Sequence, residues 1–346
     1  MIQHTDSPAL LRLLTTVVTA DSAAALTHMV ETPAALLARR DVMASRAVIA
    51  QALNLLLLWD FLARVPSARR YVQKRCATGG KVVLDHVALH TVALEGMGTL
   101  PAGHAAIARL LEPLGYRAAG EYPLPALNVV GRAFTHEELP EGLPQFFVSE
   151  LNPQRFSTRF QVVVHRITRT SRDPLNAIHV ALLRELQAEA QLPLPKARQL
   201  IPALLFAFGR HHDTPRFRDY QCLLAESSEM AWIATEGNAL HRATHRVADL
   251  DAHVREQRLG GMPLEDRVEV SASGRVRRTA FRHEVKSREF GDSLGGTLTR
   301  RVPSSVYELI ERGPAQDEAT AAMCLDLGFD TRNAHVVFGM TGDGAR

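Results

Sequence analysis

From roughly Ala9 to Gln73 the chain is rich in Leu and Ala, and apolar residues recur at helical spacing, which predicts a helical N-terminal region. Thr32-Pro33 reads as a helix start, because proline fits the first turn, where its missing N–H costs nothing. Thr78-Gly79-Gly80 breaks the helical pattern, and Lys81 to Leu89 then reads as a strand. A helix over about Ala102 to Leu114, ending at Gly115, precedes strand-like runs near Ala118 to Tyr122, Ala126 to Phe134 and Gln145 to Glu150. From Pro174 to about Leu224 the pattern is helical again, interrupted by Pro193, Pro195, Pro202 and Pro215. A second mixed segment follows, with a strand near Asn238 to Val247, a helix around Leu250 to Leu259, and strands at Val268 to Val270, Val276 to Arg282 and Thr297 to Val302. Val302 to Gly313 reads as a strand end or turn leading into a short helix, and a further helix is expected after Asp317, before Phe329 to Thr341.

Strand, helix and several strands thus occur twice, which points to an internal duplication at the level of architecture. The predicted class is α+β: a mixed β-scaffold of two strand–helix–strands halves, with N-terminal and central helical additions. Residues 1–78 form the helical region, and residues 79–346 a second domain with a helical insertion at about 174–230.

Composition narrows the function classes. The chain has 346 residues, 46% hydrophobic and 22% charged, enough to bury a substantial core. Its formal charge of +3 is spread among interleaved acidic and basic residues, without the clustered basic footprint of a nucleic-acid partner. Cys76, Cys222 and Cys324 lie far apart with no CxxC spacing, so neither a disulfide framework nor a cysteine zinc site is expected, and a reducing cytoplasm is the simple reading. Met1 to Leu10 has no secretory pattern, and the apolar run Ala52 to Leu58 is too short to span a bilayer. A soluble protein without a membrane partner is expected.

Three stretches carry candidate chemistry. Side chains alternate across a strand, so His86, Ala88 and His90 share a face, and the small residue between two imidazoles leaves space for an ion or ligand. In His241-Arg242-Ala243-Thr244-His245-Arg246, alternation puts His241 and His245 on one face and Arg242, Thr244 and Arg246 on the other; this reads equally as a ligand-bearing strand or a solvated edge. A carboxylate in the Val302 to Gly313 stretch reads as a candidate ligand, or as a first-turn Glu favouring a helix dipole. Two histidines and a carboxylate from separate elements make a facial triad, the geometry that leaves open positions on Fe(II), although the same set suits other divalent metals. Other stretches read as structural. Arg69, Arg70, Lys74 and Arg75 are a solvated face, His211-His212 a loop, Gly291, Gly295 and Gly296 a turn between strands, and Trp59 and Trp232 core.

Leu84-Asp85-His86-Val87-Ala88-Leu89-His90-Thr91-Val92 resembles a strand of the 2-oxoadipate dioxygenase/decarboxylase family. The stretches Phe134 to Leu151, Thr235 to Leu240 with the strand after it, Gly274 to Arg282 and Val302 to Gly313 resemble further family segments in the same order. The resemblance implies a glyoxalase-like β-scaffold and a mononuclear metal held by two His and one Glu. By position the first His is His86 and the Glu is Glu308. The second falls on Arg242, whose protonated guanidinium has no lone pair to give a metal. His241 or His245 then takes that place, or the metal site is lost. His90 stands where the family has a carboxylate-binding arginine, so the resemblance implies a different acid, or one bound by Arg242 or Arg278. The segment Asn333 to Thr341 resembles the family's closing strand, represented by Val337.

The leading expectation is an Fe(II) dioxygenase/decarboxylase acting on a small 2-oxo acid with O2, with His86, Glu308 and Arg242 as its catalytic residues. His90, Arg242, Arg278 and Val337 would contact the substrate. One alternative is a glyoxalase-like lyase or isomerase using another divalent metal to stabilise an enediolate. The other is a binding or accessory protein that has lost its metal.

Overall fold

The computed structural model describes residues 7–38, 42–292, 294–316 and 322–330. Helices open the chain: α1 (Ala9–Leu14), α2 (Ala20–Met29), α3 (Ala34–Leu37), α4 (Arg46–Arg64) and α5 (Pro66–Ala77), with a short strand β1 (Met43–Ser45) before α4. The first sheet segment is β2 (Leu84–Val92), α6 (Ala105–Leu111), β3 (Tyr116–Leu124), β4 (Val129–His136) and β5 (Gln145–Leu151). A helical stretch follows: α7 (Thr158–Thr168), α8 (Ala177–Glu189), β6 (Gln191–Pro193), α9 (Leu194–Ala207), α10 (Phe217–Leu224) and α11 (Ser228–Glu236). The second sheet segment is β7 (Arg242–Arg246), α12 (Leu250–Leu259), β8 (Glu269–Val270), β9 (Val276–Ala280), the hairpin β10 (Val285–Gly291) with β11 (Thr297–Pro303), and β12 (Val306–Arg312). The short strands β13 (Pro314–Gln316) and β14 (Met323–Leu325) pair with each other beyond it. Helices start where a side-chain oxygen takes an N–H left free by the first turn: Ser45 for α4, Asn176 for α8, Ser227 for α11 and Asp249 for α12.

The main sheet is curled and has eight strands in the order β3-β4-β5-β2-β7-β12-β9-β8. Its centre is the antiparallel pair β2–β7, and on each side the neighbour is parallel, β5 beside β2 and β12 beside β7. Antiparallel strands then continue outward in both directions. The order reads the same from either end, so two βαβββ halves meet at β2 and β7, which is the duplication that the strand–helix–strands pattern predicts.

The two faces of the sheet bury different cores. Val87, Leu89, Phe146, Val148, Ala243, Tyr307 and Leu309 pack with the N-terminal helices, α8 and α9 in one continuous cluster. Ala88, Val92, Phe147 and Leu151 face the other way and pack with α7, α10, α11 and the β10–β11 hairpin. β2 is therefore buried on both sides along its whole length. Among the described residues α4 is the one helix long and apolar enough to cross a membrane, but Leu53, Leu55, Leu56, Leu58 and Phe61 are fully enclosed and it serves as the core helix. The turn from α11 towards β7 needs Gly237, which has φ 64° and whose added Cβ would lie 2.4 Å from Arg210 Cα.

Several expectations are corrected. Val302 to Gly313 holds no helix: Val306–Arg312 is strand β12, buried between β7 and β9, so Glu308 projects from mid-strand rather than from a helical first turn. Strands buried on both faces lose the period-2 signal, and the helix-favouring Glu and Arg here obscured the β-branched residues. The sequence reading assigns nothing to α7 or β10; β10 is largely solvated and buries only Phe290, leaving little periodicity to read. Trp232 is core, but Trp59 is 40% exposed. The helix expected after Asp317 falls partly outside the described residues, and the described part, Met323–Leu325, is strand.

On the helical side of the sheet the Tyr71 hydroxyl sits 2.7 Å from His245 Nδ1 and 2.6 Å from His253 Nε2, donating to one ring and accepting from the other. Tyr71→Phe keeps the ring and removes both hydrogen bonds. It is expected to lower the unfolding free energy by about 1–3 kcal/mol, measured by urea denaturation; an unchanged midpoint would mean that the hydroxyl contributes nothing.

Candidate functional site

On the face opposite the N-terminal helices, register places Gln145, His86, Thr244, Glu308 and Ala280 in one row across β5, β2, β7, β12 and β9. The next row holds Phe147, Ala88, Arg242 and Val306. Ile310 and Arg278 pair further along β12 and β9. About the central pair Val87–Ala243, the two halves exchange His86 with Arg242, Ala88 with Thr244, and Phe147 with Glu308. Arg242 therefore occupies in the second half the position that His86 occupies in the first.

These side chains form one connected polar network. His86 Nε2 lies 4.0 Å from Glu308 Oε2, and Thr244 Oγ1 stands between them, 3.2 Å from the imidazole and 3.1 Å from the carboxylate. The other carboxylate oxygen, Oε1, is ion-paired with Arg242 Nη1. Both partners are buried. Burial alone would raise the Glu308 pKa, but the guanidinium groups of Arg242 and Arg278 outweigh it and hold the carboxyl below its ordinary value. Arg278 is paired with Glu269 at 3.1 Å, and burial keeps Glu269 above the usual carboxylate range.

Behind His86 stands Asp85, 2.8 Å from Nδ1. Alternation would turn consecutive residues to opposite faces, but the β2–β7 register steps two residues on β2 for one on β7 between Leu84 and His86, and this bulge re-aims the aspartate. Arg312 clamps Asp85 with hydrogen bonds of 2.9–3.0 Å. Burial would raise the Asp85 pKa; Arg312 and His86 reverse that and leave it well below the ordinary range. Arg312 also donates to the carbonyls of Asp326 at 2.6 Å and Gly328 at 3.1 Å. The same segment lays the Phe329 ring edge-on against His86, with centroids 5.0 Å apart, and against Phe147 at 4.7 Å. Gly131 makes room for Phe147, whose ring lies 2.2 Å from where a Cβ would be.

The remaining sequence candidates are dispersed. His245 points to the opposite face, hydrogen-bonded to Tyr71, and cannot meet His86 and Glu308, because alternation separates it from Thr244. His241 precedes β7 in a bend and pairs through Nδ1 with His90 Nε2 at 3.1 Å, both rings lying against Trp232. Val337 lies outside the described residues. Thr244, Asp85, Arg312 and Phe329 join the site without having been singled out. Only Asp85, adjacent to His86, left a local signal.

This donor set does not fit an Fe(II) ion. Two of three expected ligands converge, but the third position carries a guanidinium that is already bound to the carboxylate. Among the described residues no three His, Cys, Asp or Glu side chains come together as a metal-binding group. The arrangement can instead orient an acid against buried cations, beside an imidazole whose Nε2 faces the site.

Breaking a buried ion pair strands a charge, so Arg242→Met and Glu308→Gln should each lose about 3–5 kcal/mol of stability. The Arg242→Met/Glu308→Gln double variant should recover most of that loss in urea unfolding; additive losses would contradict the pairing. For Asp85 the depressed pKa means a contribution present at neutral pH that fades as the pH falls below the unfolded value of about 4. Asp85→Asn should therefore be less stable than wild type at neutral pH, with the gap narrowing in acid. A gap that widened would reverse the sign.

Comparison with known proteins identifies the family. Residues 64–327 match the family model of 2-oxoadipate dioxygenase/decarboxylase. The chloroplastic/amyloplastic 2-oxoadipate dioxygenase/decarboxylase of Oryza sativa subsp. japonica is 23% identical over 308 residues, 81% of this chain and 75% of that protein. A solved glyoxalase superfamily protein from Ralstonia eutropha JMP134 is 45% identical, with a TM-score of 0.87 over 93% of this chain and 98% of that one. The hydroxyglutarate synthase of Oryza sativa, solved in complex with 2-oxoadipate, shares the fold at 19% identity, with a TM-score of 0.65 over 86% of this chain and 93% of that one. With most of its length matched by the family model, this chain belongs to the 2-oxoadipate dioxygenase/decarboxylase family.

Proposed function

We propose that this chain binds a small 2-oxo acid on the sheet face carrying His86, Arg242 and Glu308, and acts on it without a metal by proton transfer next to the keto group. One observation carries the reading: the guanidinium of Arg242 sits on Glu308 at the position related by the internal duplication to His86. A permanent cation already faces the carboxylate where a two-histidine, one-carboxylate centre would hold its ion. Arginine's planar fork suits a carboxylate or an enolate oxygen. An incoming acid would exchange with Glu308 for Arg242, and would lie within reach of Arg278.

His86 supplies the proton acceptor. Its Nδ1 is engaged by Asp85, which directs Nε2 towards Thr244 and Glu308. A proton leaving the carbon beside the keto group would pass to Nε2, while the developing enolate oxygen is stabilised by Arg242. On this reading the reaction class is that of an isomerase or lyase, whereas the family match supports oxygenase-type chemistry on a 2-oxo acid.

A second reading keeps the family's oxygenase chemistry, with Fe(II), O2 and His241 as second histidine. It is favoured by a buried His241 Nε2 that has no hydrogen-bond partner among the described residues. It requires Arg242 to leave Glu308. Metal analysis separates the two. Protein purified without chelators and then loaded anaerobically with Fe(II) is expected to retain well under one ion per chain, and Arg242→His should raise retention towards one. Calorimetry in the presence of a chelator should still detect 2-oxo acid binding, weakened at least about tenfold by Arg242→Ala, in line with the loss of a charge-assisted hydrogen bond. Stoichiometric iron in the wild type, with O2 consumed on adding 2-oxo acids, would overturn the metal-free reading.

A further inference from the structure

Three polar nitrogens on the site's side of the sheet have no hydrogen-bond partner among the described residues: His90 Nδ1, His241 Nε2 and Trp232 Nε1. They belong to rings that touch one another. The centroids of His90 and His241 are 4.6 Å apart, and Trp232 lies 5.5 Å from the first and 5.3 Å from the second. All three residues are at least 98% buried. The hydrogen bond between His90 Nε2 and His241 Nδ1 uses one nitrogen of each ring. Whichever way that proton points, one free nitrogen of the pair is left a donor and the other an acceptor, and the indole N–H is a second donor. Buried polar atoms are almost always paired, so three orphans in one contact cluster mark a place built for a group that the protein does not itself supply.

The chemistry of the cluster defines that group. It offers two donors and one acceptor, and neither imidazole is in an ion pair with a carboxylate among the described residues. Arg242, the cation whose charge reaches both imidazoles, is already engaged by Glu308 and, on the reading above, by the acid end of the ligand, so a carboxylate here would meet an acceptor with no proton to give it. A hydroxyl or a carboxamide both accepts and donates, and it satisfies the set. Position agrees, because Arg242 pairs with Ala88 and His90 lies two residues further along β2, about 7 Å away. That is the length of a five- or six-carbon acid.

We infer that His90, His241 and Trp232 form a neutral hydrogen-bonding subsite that takes an uncharged polar tail, so that the chain prefers 2-oxo acids ending in a hydroxyl or carboxamide to 2-oxo dicarboxylic acids. The inference rests on the acid reading above for the other end of the ligand. Calorimetric titration of the full chain with 2-oxopentanoate, 5-hydroxy-2-oxopentanoate, 2-oxoglutaramate and 2-oxoglutarate tests it. The hydroxy and amide acids are expected to bind at least about tenfold more tightly than either of the others, since a site that pairs a polar group discriminates against ligands that leave it unpaired. Trp232→Phe and His241→Phe should each bring the ratio of 5-hydroxy-2-oxopentanoate to 2-oxopentanoate affinity towards one. 2-Oxoglutarate binding as tightly as the hydroxy acid, or a ratio unmoved in both variants, would overturn the subsite. If none of the four acids binds, the acid reading fails, and a crystal structure decides the subsite alone. An ordered water or small molecule hydrogen-bonded to these nitrogens supports it, and a dry cluster with the rings repaired among themselves overturns it.

Discussion

At the centre of the sheet a guanidinium and a carboxylate are held together away from water, and the arrangement of their neighbours follows from that pair. Neither Arg242 nor Glu308 could be buried in such a place alone without a large cost, because each buried charge needs a partner to offset its lost hydration. The parallel register of β7 against β12 supplies the meeting, bringing Thr244 beside Glu308 and Arg242 one row away. Thr244 then links the carboxylate to His86, so that acid, base and cation form one electrostatic unit. Nearby, Arg278 and Glu269 form a second pair of opposite charges, so the set as a whole is close to neutral.

The duplicated fold explains both the likeness to the family and the asymmetry between the two halves of the site. Two βαβββ halves meeting at an antiparallel seam present equivalent positions on the first and last strands of each half. This chain fills them with His86 and Phe147 on one side and Arg242 and Glu308 on the other. Phe147 gives the site an apolar wall, extended by Phe329, and Arg242 brings a positive charge to the position where the first half has the imidazole of His86. One scaffold thus carries an imidazole in one half and a cation at the equivalent position of the other. Arg312 ties the described end of the chain to the same network, since one side chain holds both Asp85 and the carbonyls that lead to Phe329. The orientation of His86 and the cover over it thus share a single anchor.

Much of the architecture was legible because periodicity survives wherever one face is polar. Leu250–Leu259 was readable as a helix, and the two strand–helix–strands segments appeared in order. Reading failed at two strands: β12, whose helix-favouring Glu and Arg made it look like a helix start, and the largely solvated hairpin strand β10, which was passed over. At the site, His86 and His90 stood out because an alanine between two imidazoles is unusual in a buried strand. Glu308 was found through family resemblance rather than through its own pattern. Arg242 was identified by position as the residue out of place, but its partner could be learned only from register. Asp85 adjoins His86 in the chain but reaches it through a bulge that the sequence does not display, and Thr244 depends on a neighbour distant in the chain and leaves no mark. His245 was a reasonable ligand by type, but alternation had already assigned it to the other face, where Tyr71 receives it.

The central claim is that a guanidinium, not a metal ion, supplies the positive charge beside Glu308. A crystal structure grown anaerobically with excess Fe(II) and a 2-oxo acid, with anomalous data collected at the iron edge, tests it most directly. The expected result is an Arg242 side chain hydrogen-bonded to Glu308 or to the acid, and no anomalous peak between His86 and Glu308. A strong peak there, ligated by both residues with Arg242 swung away, would contradict it.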